Sequence, residues 1–120
     1  MLKNVSLALI LMISYAVNAS EPANVSRGKD LAEYCMGCHG EFGIAEIDSN
    51  PNLAGQNAKY LEYALKSYRD GVRKGGMAFI MQANAGKLSD QDIRDLAAYF
   101  SGLPGRQPTS IDSPNEQVSQ

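Results

Sequence analysis

Apolar positions recur at helical spacing in three stretches of this chain, and nowhere do they alternate with polar ones as a half-buried strand requires. The first stretch carries Leu31, Ala32 and Tyr34, with Ser26 placed to cap it and an end near Cys38. Gly40 to Gly55 reads as loop, because Gly40, Gly43, Asp48-Ser49-Asn50-Pro51 and Gly55 are turn chemistry. Asn57 then opens a second helix in which Tyr60, Leu61, Ala64, Leu65 and Tyr68 share one face, and Gly71 closes it. Val72 to Lys87 reads as irregular around Gly75, Gly76 and Gly86, with one helical turn near Phe79. The last helix has the clearest signals. Ser89-Asp90-Gln91-Asp92 has the form of a capping box, and Ile93, Leu96, Ala97 and Phe100 follow on one face before Gly102 and Pro104 stop it. The pattern predicts an all-α domain.

The amino-terminal nineteen residues read differently. Lys3 is followed by an unbroken apolar run from Leu7 to Ile13, and Val17-Asn18-Ala19 places small residues where a signal peptidase cuts. Residues 1–19 are therefore expected to be a secretory signal peptide; a membrane helix takes about 20 apolar residues. Ser20 follows the cut, so no lipid-bearing cysteine does. Residues 20–105 are expected to form the domain, and 106–120, with turn residues and little to bury, a mobile polar tail.

Composition narrows the function. The chain of 120 residues suits one domain, and 44% apolar with 20% charged residues permits a packed core. The formal charge is −2 and becomes one unit more negative when Lys3 leaves, which argues against nucleic acid as a partner. Two cysteines allow one disulfide at most, so a domain this small has reason to hold a cofactor.

Cys35-Met36-Gly37-Cys38-His39 is C-x-x-C-H, the attachment signature of c-type heme. Residues three apart share one side of a helical turn, so two thiols there can add to the two vinyl groups on one heme edge. The histidine directly after the second cysteine is then placed beneath the iron. His39 is the only histidine, which excludes a bis-histidine heme within one chain. A ligating imidazole needs its other nitrogen held by an acceptor, and the Pro51 carbonyl is the candidate. Two other readings use the same residues. A thioredoxin-type Cys35–Cys38 disulfide needs a βαβ setting that the helical pattern lacks, and a zinc site has three ligands with no evident fourth.

These residues give the chain a resemblance to the short bacterial class I cytochromes c, extending from about Ser26 to Gly102. It rests on Cys35 to Gly40, on Pro51-Asn52-Leu53-Ala54-Gly55-Gln56, on Tyr60-Leu61, on Tyr68 to Arg73, and on Leu88 to Ile93 leading into Ala97-Ala98-Tyr99-Phe100. The resemblance implies a small class I cytochrome c fold: three to four helices around one covalently attached heme c per chain, the first and last helices crossing. Gly28 permits a close crossing there, filled by Leu31, Leu96 and Phe100.

The resemblance also implies a methionine sixth ligand from the segment before the last helix. Met1 and Met12 leave with the signal and Met36 sits between the cysteines, so Met77 and Met81 remain. Met81 lies seven residues before Leu88, as the family's ligand commonly does. The expected iron ligands are thus His39 and Met81. Met77 stays an alternative, because the segment is longer than usual and Gly75-Gly76 replaces the Asn-Pro often found there. Arg73, Lys74 and Lys87 are candidates for pairing with heme propionates or are simply solvated. Tyr60, Tyr63, Tyr68 and Tyr99 fit helix packing rather than catalysis.

The expected function is a soluble, periplasmic monoheme electron carrier, cycling between ferrous and ferric iron. No catalytic residues are expected, since no Ser/His/Asp or paired-carboxylate arrangement can be assembled with His39 on iron. Expected partners are redox protein donors and acceptors meeting the heme edge at Cys35 and Cys38. Neither nucleic acid, membrane insertion after signal cleavage, nor a small-molecule substrate at iron is expected. The alternatives are a cytochrome c subunit of a larger oxidoreductase, such as a flavoprotein dehydrogenase, and a heme gas sensor or peroxidase, which needs an open sixth position.

Overall fold

A computed structural model describes residues 20–106; the expected signal segment and the expected tail after Arg106 lie outside the described residues. Four helices follow one another within them: α1 Val25–His39, α2 Ala58–Arg69, α3 Ala78–Ala85 and α4 Asp90–Gly102. Helix α1 packs on α4, and α2 packs on both α4 and α3. Among the described residues α1 packs on neither α2 nor α3.

Helix α1 starts earlier than Ser26 suggests. Asn24 is the cap, its side-chain oxygen accepting from the Arg27 N–H at 3.0 Å. The Asn24 N–H in turn donates to the Asp95 carboxylate at 2.8 Å, across 71 residues of sequence. That long-range acceptor selects Asn24 over Ser26. At the other end of the chain, Ser89 and Asp92 form the capping box with both of its hydrogen bonds.

The crossing of α1 and α4 depends on Gly28. A Cβ there would lie 2.1 Å from the Asp95 carbonyl oxygen, so no larger residue fits without parting the helices. The core at the crossing contains Ala32, Leu96, Ala97, Tyr99 and Phe100, joined by Leu61 of α2, with Leu31 packed against it. Burying Leu96 or Phe100 contributes about 1.5–3 kcal/mol each. Tyr99 meets Phe100 edge-on, with ring centroids 5.2 Å apart.

Helix α2 begins at Asn57 as expected, with the side-chain oxygen accepting from the Tyr60 N–H at 3.0 Å, and Gly71 follows its end at φ 68°. Its buried face is Leu61, Ala64 and Ser67. Tyr60 and Tyr63 are exposed, so the packing role expected of the tyrosines holds for Tyr99 and not for these two. Helix α3 is longer than the single turn expected near Phe79. Its apolar residues run consecutively from Ala78 to Met81, so no one-sided periodicity reveals it, and contact with α2 stabilises it.

Candidate heme-attachment site

Cys35, Cys38 and His39 occupy the last turns of α1. Both thiols are free; Cys35 is half-buried against the core and Cys38 is exposed. Burial, with the neighbouring Cys38 second, pushes the Cys35 thiol above its ordinary pKa, which keeps it protonated. Gly40 turns the chain away directly after His39 at φ 83°. A Cβ there would meet the Ile44 carbonyl oxygen at 1.8 Å, so glycine is required.

His39 is only 6% exposed. Its Nδ1 lies 2.8 Å from the Pro51 carbonyl oxygen, the acceptor expected from sequence. A carbonyl only accepts, so Nδ1 carries a proton, and in the neutral tautomer this selects, Nε2 is the nitrogen with the lone pair. Nε2 has no hydrogen-bond partner among the described residues. The loop that presents Pro51 is fastened on both sides. Asn50 donates from Nδ2 to the Cys38 carbonyl at 2.9 Å, and the Asn52 side-chain oxygen accepts from the Ala45 N–H at 2.8 Å. Sequence reasoning read Asn50 only as turn chemistry and gave Asn52 no role of its own, although asparagines beside a loop proline are turn-forming residues. Farther along, Leu53 and Ala54 both donate to the Gly43 carbonyl, and the Gly55 N–H donates to the Phe100 carbonyl at 2.9 Å, tying the loop to α4.

The two candidate methionines differ in setting. Met81 lies on the second turn of α3 and is half-buried; Met77 caps that helix without a side-chain bond and is 66% exposed. Because α3 packs on α2 and not on α1, no Cα of the helix bearing Met81 comes within 8 Å of one in the helix bearing His39. Of the candidate propionate partners, Arg73 stacks over the Tyr68 ring at 4.8 Å, while Lys74 and Lys87 are exposed.

Asp95 escaped the sequence reading. It is fully buried on α4 and accepts from the Asn24 N–H, from Arg27 Nη1 at 2.6 Å and from Gln91 Nε2 at 2.8 Å. Arg27 also pairs with Asp92. A charged residue between Ile93 and Leu96 on an apolar helix face was the available signal.

The donors fit a covalently held heme: two thiols one turn apart, an adjacent buried imidazole with a fixed tautomer, and a soft thioether on α3. The zinc reading lacks ligands, since among the described residues no three His, Cys, Asp or Glu side chains converge.

The chain is 49% identical over 78 residues to cytochrome c-554(548) of Halomonas halodenitrificans, a match covering 65% of this chain and 94% of that protein. It is 36% identical over 107 residues to cytochrome c4 of Stutzerimonas stutzeri, covering 84% of this chain and 50% of that one. The crystal structure of reduced recombinant cytochrome c4 from Pseudomonas stutzeri matches with a TM-score of 0.60 and 32% identity, over 69% of this chain and 51% of that one. The chain thus spans about half the length of the cytochrome c4 proteins it matches. The family model for cytochrome c matches residues 25–104, which include all four helices and the Cys35–His39 motif. With its four helices and the α1–α4 crossing, this chain belongs to the cytochrome c family and has the class I cytochrome c fold.

Proposed function

We propose that residues 20–105 form a periplasmic single-electron carrier holding one heme c per chain, with Cys35 and Cys38 as thioether attachments and His39 and Met81 as iron ligands. The observation that carries this reading is the buried His39 imidazole, oriented by Pro51 beside two free thiols. The heme, when bound, supplies one-electron exchange between ferrous and ferric iron. The chain supplies the rest. Cys35 and Cys38 would hold the heme through two thioether bonds, each thiol placing its sulfur on one carbon of a vinyl group and its proton on the other. The Pro51 carbonyl holds Nδ1–H, so Nε2 is the nitrogen offered to iron. A heme held by both His39 and Met81 would offer no open position for a substrate.

The exposed stripe of α1 supports exchange through the attachment edge. Asp30, Glu33, Tyr34, Gly37 and Cys38 follow at helical spacing, and all are exposed. Residues 30 to 50 also include Glu41, Glu46 and Asp48, with no lysine or arginine. A redox partner with a positively charged face fits this end best. Export is supported by the signal pattern of residues 1–19, and among the described residues no helix is long and apolar enough to cross a membrane.

The test has two parts. Acid-acetone extraction of the exported protein should leave the heme with the polypeptide, and optical titration should show reversible one-electron reduction. Heme released into the solvent removes the thioether assignment. Rapid binding of carbon monoxide by the reduced protein removes the six-coordinate carrier in favour of an open site.

A further inference from the structure

The segment between α2 and α4 carries both candidate methionines, and two sets of contacts cross it. At its base stands Arg69, the last residue of α2. Its Nη1 donates to the Leu88 carbonyl at 3.2 Å and to Asp90 Oδ1 at 2.7 Å, while Nε donates to Asp70 at 2.9 Å. One guanidinium therefore joins the residue leaving α2 to the residues entering α4. Within the segment, Gln82 Nε2 donates to the Arg73 carbonyl at 2.8 Å. Arg73 is itself fixed, through its N–H to the Ser67 carbonyl at 2.9 Å and its guanidinium over Tyr68. Gln82 directly follows Met81, so this bond limits rotation of α3 about its own axis.

These contacts have a specific chemistry. Arg69 serves three acceptors on two sides of the segment, which the planar fork of a guanidinium permits and a lysine ammonium on its flexible stem does not. Lys66, a second cation near Asp90, stands 3.9 Å away. A surface segment held by few contacts opens locally far more often than the whole domain unfolds. A ligand on such a segment leaves its metal as often as the segment opens.

We propose that Arg69 and Gln82 are positioning residues: a two-point clamp that keeps the Met81 segment closed and so sets how often the sixth ligand leaves. The ligand part rests on Met81 being that ligand; the clamp itself rests on the contacts above.

The experiment uses the ferric heme-loaded protein and saturating imidazole, whose entry is limited by departure of the protein's own ligand. Arg69→Met and Gln82→Leu are each expected to raise the limiting rate about tenfold, Gln82→Leu by losing its one hydrogen bond and Arg69→Met by losing three at the surface that are individually worth less, and the double variant more than either. Arg69→Lys should recover only part of the loss, and Lys66→Met should match the unsubstituted protein. Hydrogen exchange of the α3 amides, residues 78–85, should accelerate in the same order. Rates and exchange in Arg69→Met and Gln82→Leu equal to those of Lys66→Met overturn the clamp. If Arg69→Met fails to accumulate, Gln82→Leu and Arg69→Lys decide the question by the same readouts. Absence of a sulfur-to-iron band from the unsubstituted ferric protein overturns the ligand reading, while α3 exchange still judges the clamp.

Discussion

His39 Nδ1 and the Pro51 carbonyl oxygen are 2.8 Å apart, and this contact decides which imidazole nitrogen can reach a metal. The carbonyl takes the Nδ1 proton, the burial of the ring excludes competing water, and Asn50 and Asn52 hold the loop so that the acceptor stays in place. No other histidine exists to replace it. His39→Ala is therefore expected to abolish the stable low-spin product, read from the optical spectrum of the exported protein. An unchanged low-spin spectrum would remove His39 from the iron.

Met81 and Met77 are separable by substitution. A thioether is a soft, neutral ligand that favours ferrous iron, so its loss should lower the reduction potential, open the site to carbon monoxide and erase the near-infrared sulfur-to-iron band. Met81→Ala is expected to do all three and Met77→Ala none, in keeping with the exposure of Met77 at the start of α3. The reverse pattern would move the ligand one helical turn earlier.

Gly28→Ala tests the crossing. The added methyl would lie 2.1 Å from the Asp95 carbonyl oxygen and 3.0 Å from Tyr99 Cβ, and backbone cannot rotate out of the way as a side chain can. Overpacking of this kind costs about 1–3 kcal/mol, lowering the melting temperature by roughly 4–8 °C per kcal/mol in a domain this size. Melting of the heme-loaded variant at the unsubstituted temperature would contradict the close approach.

Asp95 should make the domain acid-sensitive. Burial alone would push its carboxyl up, but the Asn24 N–H, Arg27 and Gln91 outweigh this and hold it below the usual carboxylate range. A carboxylate depressed in the folded state contributes stability above its unfolded pKa of about 3.9, and that stability is lost as pH falls through the folded value. Asp92, also held low while sharing Arg27, acts in the same direction. Asp95→Asn is expected to melt several degrees lower at neutral pH and to lose less on acidification between about pH 5 and 3. Parallel melting curves for the two proteins across that range would refute the assignment.

The acidic attachment edge predicts a salt effect. Reduction of the ferric protein by hexaammineruthenium(II), a cation, should slow as ionic strength rises, and reduction by the anionic iron(II)–EDTA complex should accelerate. Replacing Glu33, Glu41 and Glu46 by glutamine should weaken both trends more than the same change at Glu21, Glu62 and Asp70, counting the last as asparagine. Equal effects from the two triple variants would show that net charge acts, not this edge.

The local features of this domain were legible in the sequence because each depends on residues close together in the chain. The C-x-x-C-H spacing on one helical turn, the Ser89–Asp92 capping box, the Asn57 cap and the loop from Gly40 to Gly55 all need only their neighbours. Pro51 and Gly28 were also legible, since an imidazole ligand needs an acceptor and two crossing helices need a small residue. Tertiary structure alone decided the rest. Asn24 rather than Ser26 caps α1 because Asp95, far along the chain, accepts its N–H. Helix α3 extends over eight residues because α2 supplies a surface for an apolar run with no face of its own. Arg69 closes the methionine segment through acceptors 19 and 21 residues away. Hydrogen bonds between distant residues form only when packing removes water and brings donor to acceptor, and a pattern of local spacing carries no record of that.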